Sequence, residues 1–270
     1  MAAMKPEIVI KEHAGEIFIR EFAPKAGKAK GTALLVHGFA GPEDLAPYGN
    51  LLAKNGFRAL QVHLPGHGKS ELGAKDLEME GACNKIQEAI RRVLGESGKI
   101  SLSIGHSIGC AILQELKNRG LGVGNAVLFS PVDPGVLWGE SEKKVSAVFQ
   151  AIRMAADQRS ALMNSDMESN ILNGRPDAHI LLFSMAADIT DLPVNLVAIS
   201  SNDPFFGLHS TAKEMAERLR ANGATVYLLE GDGHYLFADR AMIAKVLLIA
   251  RKIVNPAATR KPVTAGKATT

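Results

Sequence analysis

An α/β protein with a mostly parallel central sheet, helices on both faces and an inserted helical lid is what this sequence predicts. Three observations carry the prediction. Short apolar runs alternate with amphipathic stretches along most of the chain, the pattern of strand–helix units feeding one parallel sheet. The pentapeptide Gly105-His106-Ser107-Ile108-Gly109 joins a strand-like run to a helical one. Between residues 132 and 192 the rhythm stops, leaving helical periodicity and no convincing strand.

The elements follow in order. Glu7–Glu12 and Glu16–Phe22 read as a hairpin around Ala14-Gly15. Thr32–His37 is a continuous apolar run, as expected of a strand buried on both faces. A helix is expected over Pro42–Asn55, stopped by Gly56. Phe57–His63 is the next strand, and Leu64-Pro65-Gly66-His67-Gly68 a loop. Leu77–Leu94 sets Ile86, Ala89, Ile90, Val93 and Leu94 at helical spacing and ends near Gly95. A strand over Ile100–Ile104 passes through the Ser107 turn into a helix over Ile108–Lys117. The strand Ala126–Ser130 ends at Pro131 and Pro134. Later come a strand at Val194–Ser200, a helix at Thr211–Ala221 ended by Gly223, a strand at Thr225–Glu230 and a last helix at Arg240–Val254.

The expected organisation is therefore a core in two portions, 1–131 and 193–255, with a lid at 132–192 between them. Val145–Met154, Ser160–Met167 and Ala178–Ala187 are the helical parts of the lid, which carries Trp138, Phe149, Met154, Met163, Met167, Phe183 and Met185. These side chains can pack the lid onto the body. Together, a Met-rich apolar cover also suits a flexible apolar substrate. Residues 256–270 are mostly Ala, Thr, Lys, Gly and Pro and read as a disordered tail.

Bulk properties fit one soluble catalytic domain. A chain of 270 residues can bury about three-quarters of its unfolded surface. Its 46% hydrophobic content is ordinary for a globular protein. A net charge of +3, with acids and bases interspersed, gives no reason to expect a nucleic-acid partner. Cys83 and Cys110 sit in helical patterns and read as buried free thiols, not as zinc ligands. Met1–Lys11 lacks a sustained apolar segment, and no run has the length to cross a bilayer. A cytoplasmic location without stable membrane insertion is the expectation.

The chemistry centres on Ser107. A sharp strand-to-helix turn forces its central residue into a strained backbone and projects its hydroxyl outward, and glycines at 105 and 109 avoid collisions there. A serine hydroxyl needs a base, and the base needs a third group to fix its tautomer. His234, in Gly231-Asp232-Gly233-His234 after the last strand, is the candidate base. Asp203, in Ser201-Asn202-Asp203-Pro204 after the preceding strand, is the candidate acid. Asp133 follows another strand end and is its rival, and Asp203 has the alternative of a simple turn former. All three of Ser107, Asp203 and His234 would lie at carboxyl ends of parallel strands, where open α/β sheets place their sites. The backbone N–H groups of Ile108 and Phe39 are the expected oxyanion donors, the latter on the glycine-rich bend His37-Gly38-Phe39-Ala40-Gly41. His37, Gly38, His106 and Trp138 are the expected substrate-contacting positions, with the His37 side chain also suited to bracing its own loop.

On these residues the chain resembles the α/β-hydrolase superfamily over roughly residues 5 to 255. The resemblance rests on His37-Gly38, Leu64-Pro65-Gly66-His67-Gly68-Lys69-Ser70, the Ser107 turn, Asp203 and His234. It implies an α/β-hydrolase fold with a helical lid, similar to monoglyceride-lipase-like, carboxylesterase-like and thioesterase-like enzymes. It also implies a serine hydrolase acting on a small-molecule ester or thioester with an apolar acyl part. Acyl transfer, C–C bond cleavage and lyase chemistry occur on similar proteins, as do non-catalytic ligand-binding shells. One departure is His63, which stands two positions before Pro65 where the family usually has an aspartate of structural role.

Other signals are declined. Gly120-Leu121-Gly122-Val123-Gly124 precedes a strand instead of opening a helix, so it is read as a linker and not a phosphate loop. His63 and His67 span a Pro-Gly loop and not a helix face, so no metal site is expected, nor any cofactor. Nothing in the sequence sets an oligomeric state.

Overall fold

The computed structural model describes residues 8–38, 45–71, 79–95, 98–131, 192–200, 211–229 and 240–254. Within them lie β1 (Ile8–His13), β2 (Ile19–Pro24), β3 (Thr32–Val36), α1 (Ala46–Lys54), β4 (Arg58–Val62), α2 (Met79–Leu94), β5 (Ile100–His106), α3 (Ile108–Asn118), β6 (Asn125–Phe129), β7 (Val194–Ser200), α4 (Thr211–Ala221), β8 (Thr225–Leu229) and α5 (Arg240–Val254). The expected lid and the tail lie outside the described residues, except Leu192, which is buried.

The eight strands form one sheet in the order β1-β2-β4-β3-β5-β6-β7-β8. The opening hairpin pairs antiparallel from Ile8↔Pro24 to His13↔Ile19, and β2 pairs antiparallel with β4. From β4 onward every pairing is parallel. This is the predicted mostly parallel sheet.

Its central strands have no solvent face. Leu34 and Val36 of β3 join a cluster with Leu60 and Val62, covered by Ile86 and Ile90 of α2, Leu113 of α3 and Leu219 of α4. Ala33 and Leu35, one residue out of phase, join the opposite cluster with Leu52 of α1 and Val246 of α5. A period of two thus feeds both faces, which is why these strands read as unbroken apolar runs.

Three helices close alike. After α1, the Gly56 N–H bonds the Ala53 carbonyl and the Phe57 N–H the Leu52 carbonyl, and the same pair of bonds recurs at Gly120-Leu121 and Gly223-Ala224. Gly56, Gly120 and Gly223 all have positive φ, the left-handed cap that lets a helix turn back into the next strand. The declined Gly120–Gly124 segment is thus a cap and linker. Cys83 and Cys110 are buried and outside any disulfide, and burial pushes the first up to about 12 and the second well above the usual thiol range. Helix α1 starts at Ala46, not at the expected Pro42. Pro47 explains it, because a proline has no N–H to donate and is tolerated only in a first turn.

Candidate active site

Strand β5 ends at His106 and α3 begins at Ile108, so Ser107 alone makes the turn. Its φ of 53° and ψ of −125° lie where L-residues are strained. Ser107 and Ser130 are the two non-glycine residues with positive φ among the described residues. The Ser107 N–H bonds the Phe129 carbonyl at 3.0 Å and its carbonyl accepts the Cys110 N–H at 3.0 Å, so β6 and the first turn of α3 hold the strained unit.

Glycines permit this approach. A methyl group at Gly109 would meet the Val36 carbonyl oxygen and lie 2.7 Å from that of His37. One at Gly38 would lie 2.7 Å from the Ser107 Cβ and 2.9 Å from His106 Nδ1. One at Gly105 would have looser contacts, 3.0 Å from the Cys110 Cα. Ser107, Ile108, His37, Gly38 and His106 are thereby brought together at the carboxyl end of β3 and β5. All four side chains among them are buried.

The His37 ring is held from both sides. The Leu64 N–H donates to Nε2 at 3.0 Å, so Nδ1 carries the proton and donates to the Gly38 carbonyl. Burial, together with the charge of His67, holds His37 well below the usual imidazole range. The His67 ring lies 5.1 Å from that of His37, and its Nδ1–H donates to the Pro65 carbonyl at 3.0 Å. The Leu64–Ser70 segment is therefore the prop under the His37-Gly38 bend. It is anchored by Ser70, whose hydroxyl donates to the His63 carbonyl at 2.7 Å and accepts the Phe18 N–H at 2.9 Å.

His63 does the work of an acceptor. Its Nδ1 takes the Lys69 N–H at 3.3 Å, a bond an aspartate in that place could also accept. Burial, then Arg20, His67 and Lys69, push it down to about 3, so it is neutral. Among the described residues no group of three or more His, Cys, Asp or Glu side chains could hold a metal ion.

Phe39, Asp133, Trp138, Asp203 and His234 lie outside the described residues. Strands β7 and β8 run parallel to β5, so the chain leaves them, at Ser200 and Leu229, at the edge that carries Ser107. Two features escaped the sequence reading. The Leu64–His37 bond couples two loops far apart in sequence, with no local signal. Buried Ser130, with φ of 43°, directly follows β6 at this edge, and its one sequence signal is its place between a strand and Pro131.

A mostly parallel eight-stranded sheet flanked by helices, with a strained serine between a strand and a helix, defines an α/β protein of the hydrolase type. The chain belongs to the alpha/beta hydrolase family, whose model matches residues 33–246. No curated protein matches it in sequence. Among solved structures it is similar to an esterase from Exiguobacterium antarcticum, at 18% identity and a TM-score of 0.60 over 87% of this chain and 94% of that one. It is also similar to a laboratory-evolved variant of potato epoxide hydrolase, at 15% identity and a TM-score of 0.62 over 91% and 100%. A proline iminopeptidase-related protein from Thermus thermophilus matches at 17% identity and a TM-score of 0.58 over 92% and 98%. At these identities the likeness is one of fold. No helix among the described residues is long and apolar enough to cross a membrane.

Proposed function

We propose that the chain is a serine hydrolase that cleaves a carboxylic ester or thioester with an apolar acyl part. The observation that carries this reading is the backbone of Ser107, strained at φ 53° and ψ −125° on the turn between β5 and α3. A structure holds such strain where a function needs it. In this reading the Ser107 Oγ attacks the substrate carbonyl as His234 takes its proton, and Asp203 holds the His234 tautomer. The oxyanion is received by the N–H groups of Phe39 and Ile108. Ile108 opens α3, whose leading N–H groups and dipole favour negative charge. Collapse expels the alcohol or thiol with the proton from His234, and water then attacks the acyl-enzyme to release the acid.

The braced loop supports the same reading. With both His37 nitrogens engaged by backbone, the Gly38 side of the bend is fixed before substrate arrives, as electrostatic stabilisation requires. The segment 132–192, with Trp138, would cover the acyl part. No metal or cofactor is required for these steps.

Labelling with a fluorophosphonate probe tests the proposal, comparing the native chain with Ser107→Ala and locating the adduct by mass. Labelling at Ser107 that disappears in the variant is the expected result. A folded native chain that takes no label would overturn the hydrolase reading in favour of a ligand-binding shell. Short p-nitrophenyl esters, acyl-CoA substrates and alternative acceptors then separate ester, thioester and transfer chemistry.

A further inference from the structure

The sheet carries a concave feature at the edge opposite Ser107. A groove of about 500 Å3 is bordered by Asn125 and Thr225, the first residues of β6 and β8, whereas Ser107 follows the last residue of β5. That volume is within the range of small-molecule sites. Its floor is apolar, built on the buried Leu196 of β7 and the half-buried Ile249 of α5. Leu248 stands 55% exposed on its wall.

Among the described residues two cations and no carboxylate line it, namely Lys245 and Lys252. They are seven residues apart on α5, two turns or about 10 Å along the axis, so both face the groove and their flexible stems can close on one anion between them. Lys245 is half-buried, with its Nζ 3.4 Å from the centroid of the Tyr227 ring. Stacking of this kind keeps the charge against the wall instead of out in water.

We infer that this groove binds an amphipathic monoanion, with a carboxylate on Lys245 and Lys252 and an aliphatic chain along Leu196, Leu248 and Ile249. Charge selects this occupant over others. Residues 255–270 bring Arg260, Lys261 and Lys267 and no acidic side chain, so they would add positive charge to a positive groove. A second copy across a two-fold axis would set lysines against lysines. The inference is independent of the reaction proposed for Ser107.

A diazirine-bearing medium-chain carboxylate, photolysed on the full chain and mapped by mass, tests it. Saturable adducts in the peptide spanning α5 are expected, displaced by decanoate and not by decyltrimethylammonium. Calorimetry with decanoate should show affinity falling roughly tenfold for each of Lys245→Gln and Lys252→Gln, and persisting in Lys245→Arg. Unchanged melting temperatures would show that the variants are folded. Adducts confined to peptides of the Ser107 edge, or affinity unchanged in the double Gln variant, would overturn the inference. So would binding to anionic vesicles with none to the free carboxylate, which would make α5 a membrane-surface element instead.

Discussion

A methyl group at Gly109 would run into the carbonyl oxygen of Val36, the last residue of β3. Helix α3 sits that close to the strand beside it, and Ser107 is the residue between them and β5. An alanine in an ordinary helix would be favoured over glycine by about 1 kcal/mol. Here the obstacle is backbone, which cannot rotate away, so Gly109→Ala should instead cost about 2–3 kcal/mol by overpacking and displace the Ser107 hydroxyl. Gly105→Ala, whose nearest contact is 3.0 Å, should cost roughly half as much. Thermal melts give the ranking, and the rate of fluorophosphonate labelling should fall further for Gly109→Ala than for Gly105→Ala.

The strain at Ser107 should be measurable without any substrate. Glycine adopts a positive φ freely, whereas alanine is strained there as serine is. Ser107→Gly should therefore stabilise the fold by about 1 kcal/mol, or roughly 2–4 °C in melting temperature, while Ser107→Ala changes it little. Both should abolish labelling. Equal melting temperatures for the two variants would mean that the turn stores no strain.

Much of this fold was legible because its central strands are buried on both faces. β7, α4 and α5 were read from the sequence with the ends the structure gives them, and β3 and β8 to within one residue. Strand order was not legible, since the placing of β4 between β2 and β3 depends on crossovers that no local pattern records. The start of α1 was misread although Pro47 was present to mark it. At the candidate site, a five-residue pattern sufficed to find Ser107, because strand, turn and helix are contiguous in the chain. The support of His37 by the Leu64 N–H was invisible for the opposite reason. That bond links positions that meet only when β3 and β4 pair.

Buried neutral histidines set an acid limit on this edge. His37 and His63 are both held below the usual imidazole range, burial being the largest cause in each case, and His63 lies at about 3. Unfolded chains take up these protons near pH 6.5, while the folded chain does not until far lower pH. The unfolded state therefore binds more protons in this window, and stability falls as the pH falls. The contribution is complete above about pH 7 and is lost from there toward pH 3, at up to about 1.4 kcal/mol per histidine per pH unit. Urea unfolding at steps from pH 8 to pH 4.5 should show this decline. A flat profile from pH 7.5 to 5 would mean that neither ring is held neutral in the native state, and a slope of half the expected size that only one is.

His63→Asp separates packing from charge at a buried position just before the Leu64–Ser70 segment. The variant should still accept the Lys69 N–H, and its carboxylate would attract the same Arg20 and Lys69 charges that disfavour a protonated His63. It would lose the tilted ring contact with Phe18, whose centroid lies 4.7 Å from that of His63. At pH 8, where His63 is neutral in both states, the lost ring contact and the burial of a carboxylate should together outweigh its attraction to Arg20 and Lys69, leaving the variant less stable by about 1 kcal/mol. At pH 5 the wild type has lost part of the His63 contribution, whereas an aspartate held by two cations resists protonation to lower pH. The deficit should therefore shrink or reverse between pH 8 and pH 5. Urea titrations of both proteins at the two pH values give the comparison, and a deficit of equal size at both would show that His63 does not titrate on unfolding.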